Sequence, residues 1–114
     1  RLIRTLDPLL RASHGGRAIF VSSGLVQHPQ AYWGAYVTGK SALETLALVY
    51  AEETRASNVR VNVVHPGIVD TAMLKQAFPG GYTGGNLKKP DDVTALFLDL
   101  ASPTCTRHGE VLTP

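Results

Sequence analysis

The chain has 114 residues, of which 44% are hydrophobic and 18% are charged, and its formal net charge at pH 7 is +2. This length accommodates at most one ordinary globular domain. The positive charge is too small and too scattered for a nucleic-acid-binding patch, and no apolar run approaches the roughly 20 residues that span a bilayer. We therefore expect neither nucleic-acid binding nor a membrane anchor.

The first third of the chain predicts a helix, a strand and a loop. With no capping residue before it, the chain opens on a helix-spaced apolar stripe formed by Leu2, Ile3, Leu6, Leu9 and Leu10. Residues 13–16 contain two glycines and are typical of a helix end. The apolar run at residues 18–21 predicts a strand of parallel sheet buried on both faces, and residues 25–34 show no sustained period and predict a loop.

The rest of the chain continues to alternate between predicted helices and predicted strands. A helical pattern covers residues 35–57, and the β-branched run at residues 59–64 predicts a second strand that ends at His65-Pro66-Gly67. Residues 68–90 predict a long excursion with one short helix at residues 71–78. A last helix is expected at residues 91–101, and residues 110–114 begin like a strand. Helices and strands in this order predict an α/β fold with a parallel sheet.

Ligands of an open parallel sheet bind at the carboxyl ends of its strands, where Ser22-Ser23 and His65-Pro66-Gly67 lie. Tyr36 and Lys40 are four residues apart, which puts both side chains on one face of the helix between those strands. An ammonium group one turn away favours the ionised form of a phenol, so Tyr36 could exchange a proton with a substrate oxygen. Ser23 could hydrogen-bond the same oxygen.

A purely structural interpretation of this pair remains open. A tyrosine and a lysine at this spacing also arise by chance, so the motif is a hypothesis. In that alternative, Tyr36 packs on a neighbouring helix, and Lys40 is solvated or pairs with Glu44.

Four segments together resemble the short-chain dehydrogenase/reductase family. They read IFVSSG, AYVTGKSALE, VRVNVVHPGIVDT and KKPDDVTALFLDLAS, in the family's order and spacing and over nearly the whole chain. Within the family the chain looks most similar to the single-domain reductases of the 3-oxoacyl reductase kind. The resemblance implies a Rossmann-like, doubly wound parallel sheet and the NAD(P)-dependent oxidation or reduction of an alcohol or carbonyl substrate.

The resemblance also implies roles for individual residues. Tyr36 would be the general acid/base, Lys40 would assist it and hold the nicotinamide ribose, and Ser23, rather than Ser22, would orient the substrate oxygen. The backbone of Val69 and the hydroxyl of Thr71 would meet the nicotinamide carboxamide. The cofactor-binding set that it implies is Tyr36, Lys40, Pro66, Gly67, Val69 and Thr71.

The family's glycine-rich phosphate-binding turn has no counterpart in residues 1–114. We therefore interpret the chain as the C-terminal part of one NAD(P)-binding Rossmann-type domain, without its N-terminal phosphate-binding half. The choice between NAD and NADP stays open. A second hypothesis also stays open: a catalytically silent fragment that serves as an assembly or ligand-binding module.

The sequence also gives expectations for several aromatic residues and for the histidines. Trp33 and its neighbour Tyr32 line a substrate pocket or pack against the long loop, with neither alternative favoured. Met73, Leu74, Phe78 and Tyr82 match the family's substrate-covering segment, which suggests a partly apolar substrate. His65 is expected to be an ordinary hydrogen-bonded histidine, whereas His14, His28 and His108 are expected to face solvent.

The remaining expectations concern environment and assembly. Cys105 is the single cysteine, so it forms no disulfide within the chain and no metal site is expected; a reducing compartment, the cytoplasm, is predicted. In the family the helix that carries the tyrosine and lysine and the helix before it commonly pair with those of a second copy. The small residues Gly39, Ala42 and Ala47 suit such packing, so a homodimer or homotetramer is expected.

Overall fold

The computed structural model describes residues 1–114 and contains the predicted helices and strands in the predicted order. The elements are α1 (Leu2–Ala12), β1 (Arg17–Val21), a 3-10 turn (Gly24–Val26), α2 (Gly34–Thr54), β2 (Arg60–Val64), α3 (Ala72–Ala77), α4 (Pro90–Ala101) and β3 (Val111–Leu112). This architecture confirms the α/β class. No helix combines the length and the apolar character that crossing a membrane requires.

Two boundaries differ from the sequence prediction for local reasons. The expected loop at residues 25–34 begins with the 3-10 turn, which the side chain of Ser23 caps by accepting a hydrogen bond from the Leu25 N–H. Helix α2 ends at Thr54 instead of Ser57. There the Ser57 hydroxyl donates to the Thr54 carbonyl at 2.7 Å and satisfies a group that the helix end leaves unpaired.

The three strands form one parallel sheet in the order β1-β2-β3. Central β2 is buried along residues 61–64, whereas β1 is an outer strand whose last residue, Val21, is 41% exposed. Residues Arg17 to Phe20 of β1 are only half-buried, so the full burial expected for this strand is found in β2 instead. An apolar run as short as β1 does not encode whether a strand has one neighbour or two.

A small core joins the sheet to α1 and α2. Its buried members are Tyr50, Ala51, Val59 and Val61, with Ile3, Leu10, Ala18 and Phe20 packed against them. His108 contributes from the segment before β3: its Nδ1 accepts from the Val61 N–H at 3.2 Å, and its Nε2 donates to the Ala51 carbonyl at 2.9 Å. The expectation that His108 faces solvent is therefore wrong, because its ring bridges β2 and α2.

Helix α1 is fastened to α2 by a polar contact as well as by apolar packing. The Tyr50 hydroxyl donates to the Asp7 carboxylate at 2.8 Å, and Arg11 pairs with the same carboxylate at 2.9 Å. Tyr50 is only 3% exposed. Burial, together with the hydrogen bond and the negative charge of Asp7, raises the pKa of Tyr50 to about 12.

This contact predicts a loss of stability in alkali. A raised pKa means that the fold favours the neutral phenol, so its contribution is complete below about pH 10 and is lost as the pH rises through about 12. A two-unit shift corresponds to roughly 2–3 kcal/mol. Urea unfolding followed by circular dichroism across this pH interval measures the effect.

Tyr50→Phe should abolish that part of the pH dependence and lower the free energy of unfolding at pH 8 by about 1 kcal/mol. Tyr32→Phe is the matched control, because the Tyr32 side chain is fully exposed. A wild-type protein and a Tyr50→Phe variant that lose stability in parallel above pH 10 would contradict this account.

Candidate functional site

A cavity of about 520 Å³ lies beside the last residue of β1 and the loop that follows β2. All seven residues that the sequence assigned to the site line it: Ser23, Tyr36, Lys40, Pro66, Gly67, Val69 and Thr71. They come from three separate stretches of the chain. The fold thus brings the predicted residues together, while their chemical roles remain predictions.

The two serines after β1 differ in their surroundings. Ser22 is buried and extends the strand pairing, since its N–H donates to the Val64 carbonyl at 2.9 Å. Its hydroxyl lies 3.5 Å from the carbonyl oxygen of Lys40. The Ser23 hydroxyl is half-buried and accepts from the Leu25 N–H at 3.3 Å, which leaves its own proton free to donate to a bound molecule. These surroundings favour Ser23 over Ser22.

Tyr36 and Lys40 lie on the first turns of α2. The Lys40 ammonium donates to the Val21 carbonyl at 2.9 Å and lies 5.8 Å from the centroid of the Tyr36 ring. Tyr36 packs edge-on against Trp33, with ring centroids 5.4 Å apart. Its hydroxyl has no hydrogen-bond partner within the chain and is therefore available to a ligand. The alternative pairing of Lys40 with Glu44 does not occur.

Glu44 instead pairs with His65 across the helix–sheet boundary. The Glu44 carboxylate lies 2.7 Å from His65 Nε2, and the two side chains are only 12% and 5% exposed. This confirms His65 as a hydrogen-bonded histidine. Because Tyr36, Lys40 and Glu44 follow one another at intervals of four residues, one stripe of α2 faces the ends of both β1 and β2.

The loop after β2 presents backbone groups to the cavity. Lys88 pairs with this loop as in a parallel sheet: its N–H donates to the Ile68 carbonyl, and its carbonyl accepts from the Asp70 N–H, both at 2.9 Å. In a parallel bridge of this kind, the N–H and C=O of the middle residue point away from the partner strand. Val69 is that middle residue, so one donor and one acceptor remain free beside the cavity.

Gly67 and Thr71 shape the two ends of this loop. Gly67 has a φ of +81°, a left-handed conformation that a side chain disfavours, and the stem of Lys88 lies 3.8 Å from the place where its Cβ would stand. The Thr71 hydroxyl caps α3 by accepting from the Leu74 N–H at 3.3 Å. Its proton remains free for a ligand, as at Ser23.

A free amide donor, a free carbonyl acceptor and a hydroxyl next to one another fit a carboxamide group, which has both a carbonyl oxygen and an NH₂. Val69 and Thr71 can therefore hold the nicotinamide end of a dinucleotide, and the residues present fit that group.

Aromatic and apolar side chains form the rest of the cavity wall. Trp33 lines the cavity and also contacts Phe78 of the long excursion, so both alternatives hold for it. Tyr32 is fully exposed and does not line the cavity. The predicted covering residues also line it: Met73, Leu74, Phe78 and Tyr82. Sequence reasoning missed Val93 and Phe97 of α4, whose apolar spacing was the available signal.

Comparison with known proteins leads to the same family that the sequence motifs resemble. The sequence profile of the short chain dehydrogenases matches residues 1–80. An uncharacterised oxidoreductase, YciK of Escherichia coli (strain K12), is 39% identical over 97 residues, which are 85% of this chain and 38% of YciK. The NADPH-dependent aldehyde reductase 2 of Arabidopsis thaliana chloroplasts is 39% identical over 65 residues, 57% of this chain and 24% of the reductase.

Solved structures agree with this likeness. A short-chain dehydrogenase of Shigella flexneri 2a (strain 301), complexed with NADP, superimposes with a TM-score of 0.87 and 35% identity and covers 98% of this chain. The match extends over 46% of the Shigella chain. The protein described here thus spans less than half the length of the relatives that it matches.

The buried contact between Glu44 and His65 predicts a selective loss of stability. Glu44→Ala leaves a buried imidazole nitrogen without its partner and should lower the free energy of unfolding by about 2–3 kcal/mol. Glu44→Gln keeps a hydrogen-bonding group at the same place and should cost less than about 1 kcal/mol. Urea unfolding at pH 7 measures both.

Glu52→Ala supplies the matched control, because Glu52 lies on the same helix but forms an ion pair with Arg55 in which both side chains are largely exposed. Its effect should be within a few tenths of a kcal/mol. An equal loss of unfolding free energy in Glu44→Ala and Glu52→Ala would show that the contact between Glu44 and His65 stabilises the fold no more than an exposed ion pair.

Proposed function

Because the chain belongs to the short-chain dehydrogenase/reductase family, we propose that it forms the catalytic and nicotinamide-binding part of an NAD(P)-dependent oxidoreductase that interconverts an alcohol and a carbonyl compound. The observation that supports this most is the convergence of seven residues from three separate segments on one cavity. An accidental Tyr-x-x-x-Lys spacing would not require Ser23 and the Val69–Thr71 backbone to lie there as well.

The geometry suggests how the chain's own residues act on the substrate oxygen. When bound, the nicotinamide cofactor supplies the hydride in the reduction direction and accepts it in the oxidation direction. Tyr36 donates its hydroxyl proton to the carbonyl oxygen during reduction and takes a proton from the alcohol during oxidation. The Ser23 hydroxyl donates a hydrogen bond to the same oxygen and holds it beside Tyr36.

Lys40 has two tasks in this proposal. Its positive charge, 5.8 Å from the Tyr36 ring, stabilises the negative charge that forms on the phenol oxygen when the proton leaves. Its ammonium group has three protons, of which one is used by the Val21 carbonyl. The other two can donate to the hydroxyls of a ribose, which is the cofactor-binding role that the family pattern implies.

The nicotinamide end of the cofactor would lie against the loop formed by Pro66 to Thr71. There the Val69 N–H and C=O and the Thr71 hydroxyl recognise the carboxamide, and Gly67 lets the backbone turn beside it. NADPH is the form to test first, because the similar Shigella dehydrogenase is complexed with NADP.

Replacing the proposed acid tests the mechanism directly. Tyr36→Phe should lower kcat for NADPH-dependent reduction of an aldehyde or ketone by roughly 100- to 10,000-fold, because general acid catalysis is lost. The Kd for NADPH should change little, since Lys40, Val69 and Thr71 keep the contacts that they are proposed to make. Turnover is followed by the loss of NADPH absorbance, and binding by calorimetry.

Tyr32→Phe removes the same hydroxyl from an exposed tyrosine four residues away and should leave kcat unchanged. Normal turnover by the Tyr36→Phe variant would remove Tyr36 from the acid/base role. Saturable NADPH binding with no turnover of any carbonyl by the unmodified protein would instead support the ligand-binding module.

A second part of the proposal concerns assembly. Helix α2 exposes an apolar strip beyond the cavity, and Leu46 and Val49 are 52% and 48% exposed there. Ala42 is exposed beside them, whereas Ala47 is completely buried within the chain and is not available to a partner. We propose that this strip packs against its counterpart in a homodimer or homotetramer, with Gly39 allowing close approach.

Leu46→Asp should convert such an oligomer into smaller species, because it places a charge in an apolar contact. Light scattering coupled to size-exclusion chromatography gives the mass. Leu98→Asp is the control, since Leu98 is a leucine on α4 that is 67% exposed, compared with 52% for Leu46. A monomeric unmodified protein, or equal dissociation by both variants, would contradict the proposed interface.

A further inference from the structure

The cavity has a continuous aromatic wall next to the catalytic phenol. Trp33 contacts Tyr36 edge-on at a centroid distance of 5.4 Å, and its other neighbour is Phe78 at 5.9 Å. Phe78 in turn contacts Tyr82 edge-on at 5.2 Å. The rings therefore form a chain that begins at the Tyr36 ring, and all four of them line the cavity.

This wall is not part of the hydrophobic core. Trp33, Phe78 and Tyr82 are each half-exposed, and none of them belongs to the cluster that joins the sheet to α1 and α2. Large aromatic side chains that remain accessible inside a concavity are available to bind a ligand.

The local backbone also accommodates the outermost ring. A Cβ at Gly84 would collide with the hydroxyl end of Tyr82, whereas a Cβ at Gly85 would meet nothing. Glycine at position 84 thus leaves the room in which the Tyr82 ring lies over Phe78.

The wall of the cavity contains little charge, which limits the kind of ligand that it can bind. Of the 21 residues that line the cavity, Lys40 is the single charged one, and its ammonium is bound to the Val21 carbonyl. The remaining polar groups are neutral hydroxyls, the Gln30 amide and the Trp33 indole N–H, together with backbone groups. In the proposed function the two remaining Lys40 protons bind the cofactor ribose, so an anionic substituent against the aromatic wall would lose its hydration without gaining a cationic partner, at a large cost.

From these observations, and resting on the proposed function, we propose that the carbonyl substrate is an uncharged aryl ketone or aryl aldehyde whose ring lies against Trp33 and Phe78. The contact between Trp33 and Tyr36 places the first ring of the wall next to the ring of the proposed acid. A ring joined directly to the carbonyl carbon reaches this wall, and stacking on it orients the carbonyl toward Tyr36 and Ser23.

Binding can be measured independently of catalysis, because Trp33 is the single tryptophan of the chain. The probe is acetophenone, titrated against the intrinsic fluorescence with and without NADP⁺, and free N-acetyltryptophanamide corrects for collisional quenching. Saturable quenching is expected. Cyclohexyl methyl ketone, which has the same shape without the aromatic ring, is then titrated as a competitor and should bind roughly two- to tenfold more weakly.

Two results would overturn the substrate assignment. One is a cyclohexyl ketone that competes as well as acetophenone, and the other is the absence of saturable quenching both with and without NADP⁺. A third probe, 4-acetylbenzoate, tests the charge. It should bind at least tenfold more weakly than acetophenone, and equal affinity would contradict an uncharged substrate.

Variants test whether the aromatic wall of the cavity causes the preference for the aryl ketone. Trp33→Leu should abolish the preference for acetophenone over cyclohexyl methyl ketone in kcat/KM, whereas Trp33→Phe should keep most of it. Gly84→Ala should reduce the preference by displacing Tyr82, and Gly85→Ala is its matched control. An unchanged preference in Trp33→Leu would remove Trp33 from the substrate site.

The outcomes also separate this inference from the proposed activity. Selective binding of the aryl ketone without any turnover would support the aromatic site and refute the oxidoreductase. Turnover of alkyl and aryl ketones with equal kcat/KM would support the oxidoreductase and refute the aromatic site.

Discussion

The site depends on how one face of α2 is held against the ends of two strands. Two residues spaced by one helical turn make the attachment: the Lys40 ammonium binds the last carbonyl of β1, and the Glu44 carboxylate binds His65 at the end of β2. Tyr36, one turn earlier, is thereby fixed in depth and rotation relative to both strands. Since a helix is rigid over two turns, these two polar contacts determine where the phenol stands.

A second fixed point is the backbone after β2. The pairing of Lys88 with Ile68 and Asp70 continues parallel-sheet hydrogen bonding beyond the end of β2. Strand-like pairing uses the hydrogen-bonding groups of alternate residues, so it leaves those of Val69 free in a backbone that is already ordered. A ligand that binds them does not have to order the loop first, which reduces the entropy lost on binding.

The apolar surfaces of the chain fall into three kinds. The buried core around β2 stabilises the fold, the half-exposed rings of Trp33, Phe78 and Tyr82 line the cavity, and the exposed strip on α2 carries the proposed self-association. The rings of the second kind lie next to Tyr36, which is why they bear on substrate choice.

The sequence alone determined the order and type of the elements, the α/β class and the set of residues at the strand ends. Hydrophobic period, β-branching and helix-ending glycines are local signals, and the Tyr-x-x-x-Lys spacing is local as well. The tertiary structure decided which pairs meet over long distances in the chain: Glu44 with His65, Ile68 and Asp70 with Lys88, and His108 with β2. It also decided that β1 is an outer strand and that Phe97 reaches the cavity. Such contacts depend on how the elements pack, and the pattern of one segment does not specify its neighbours in space.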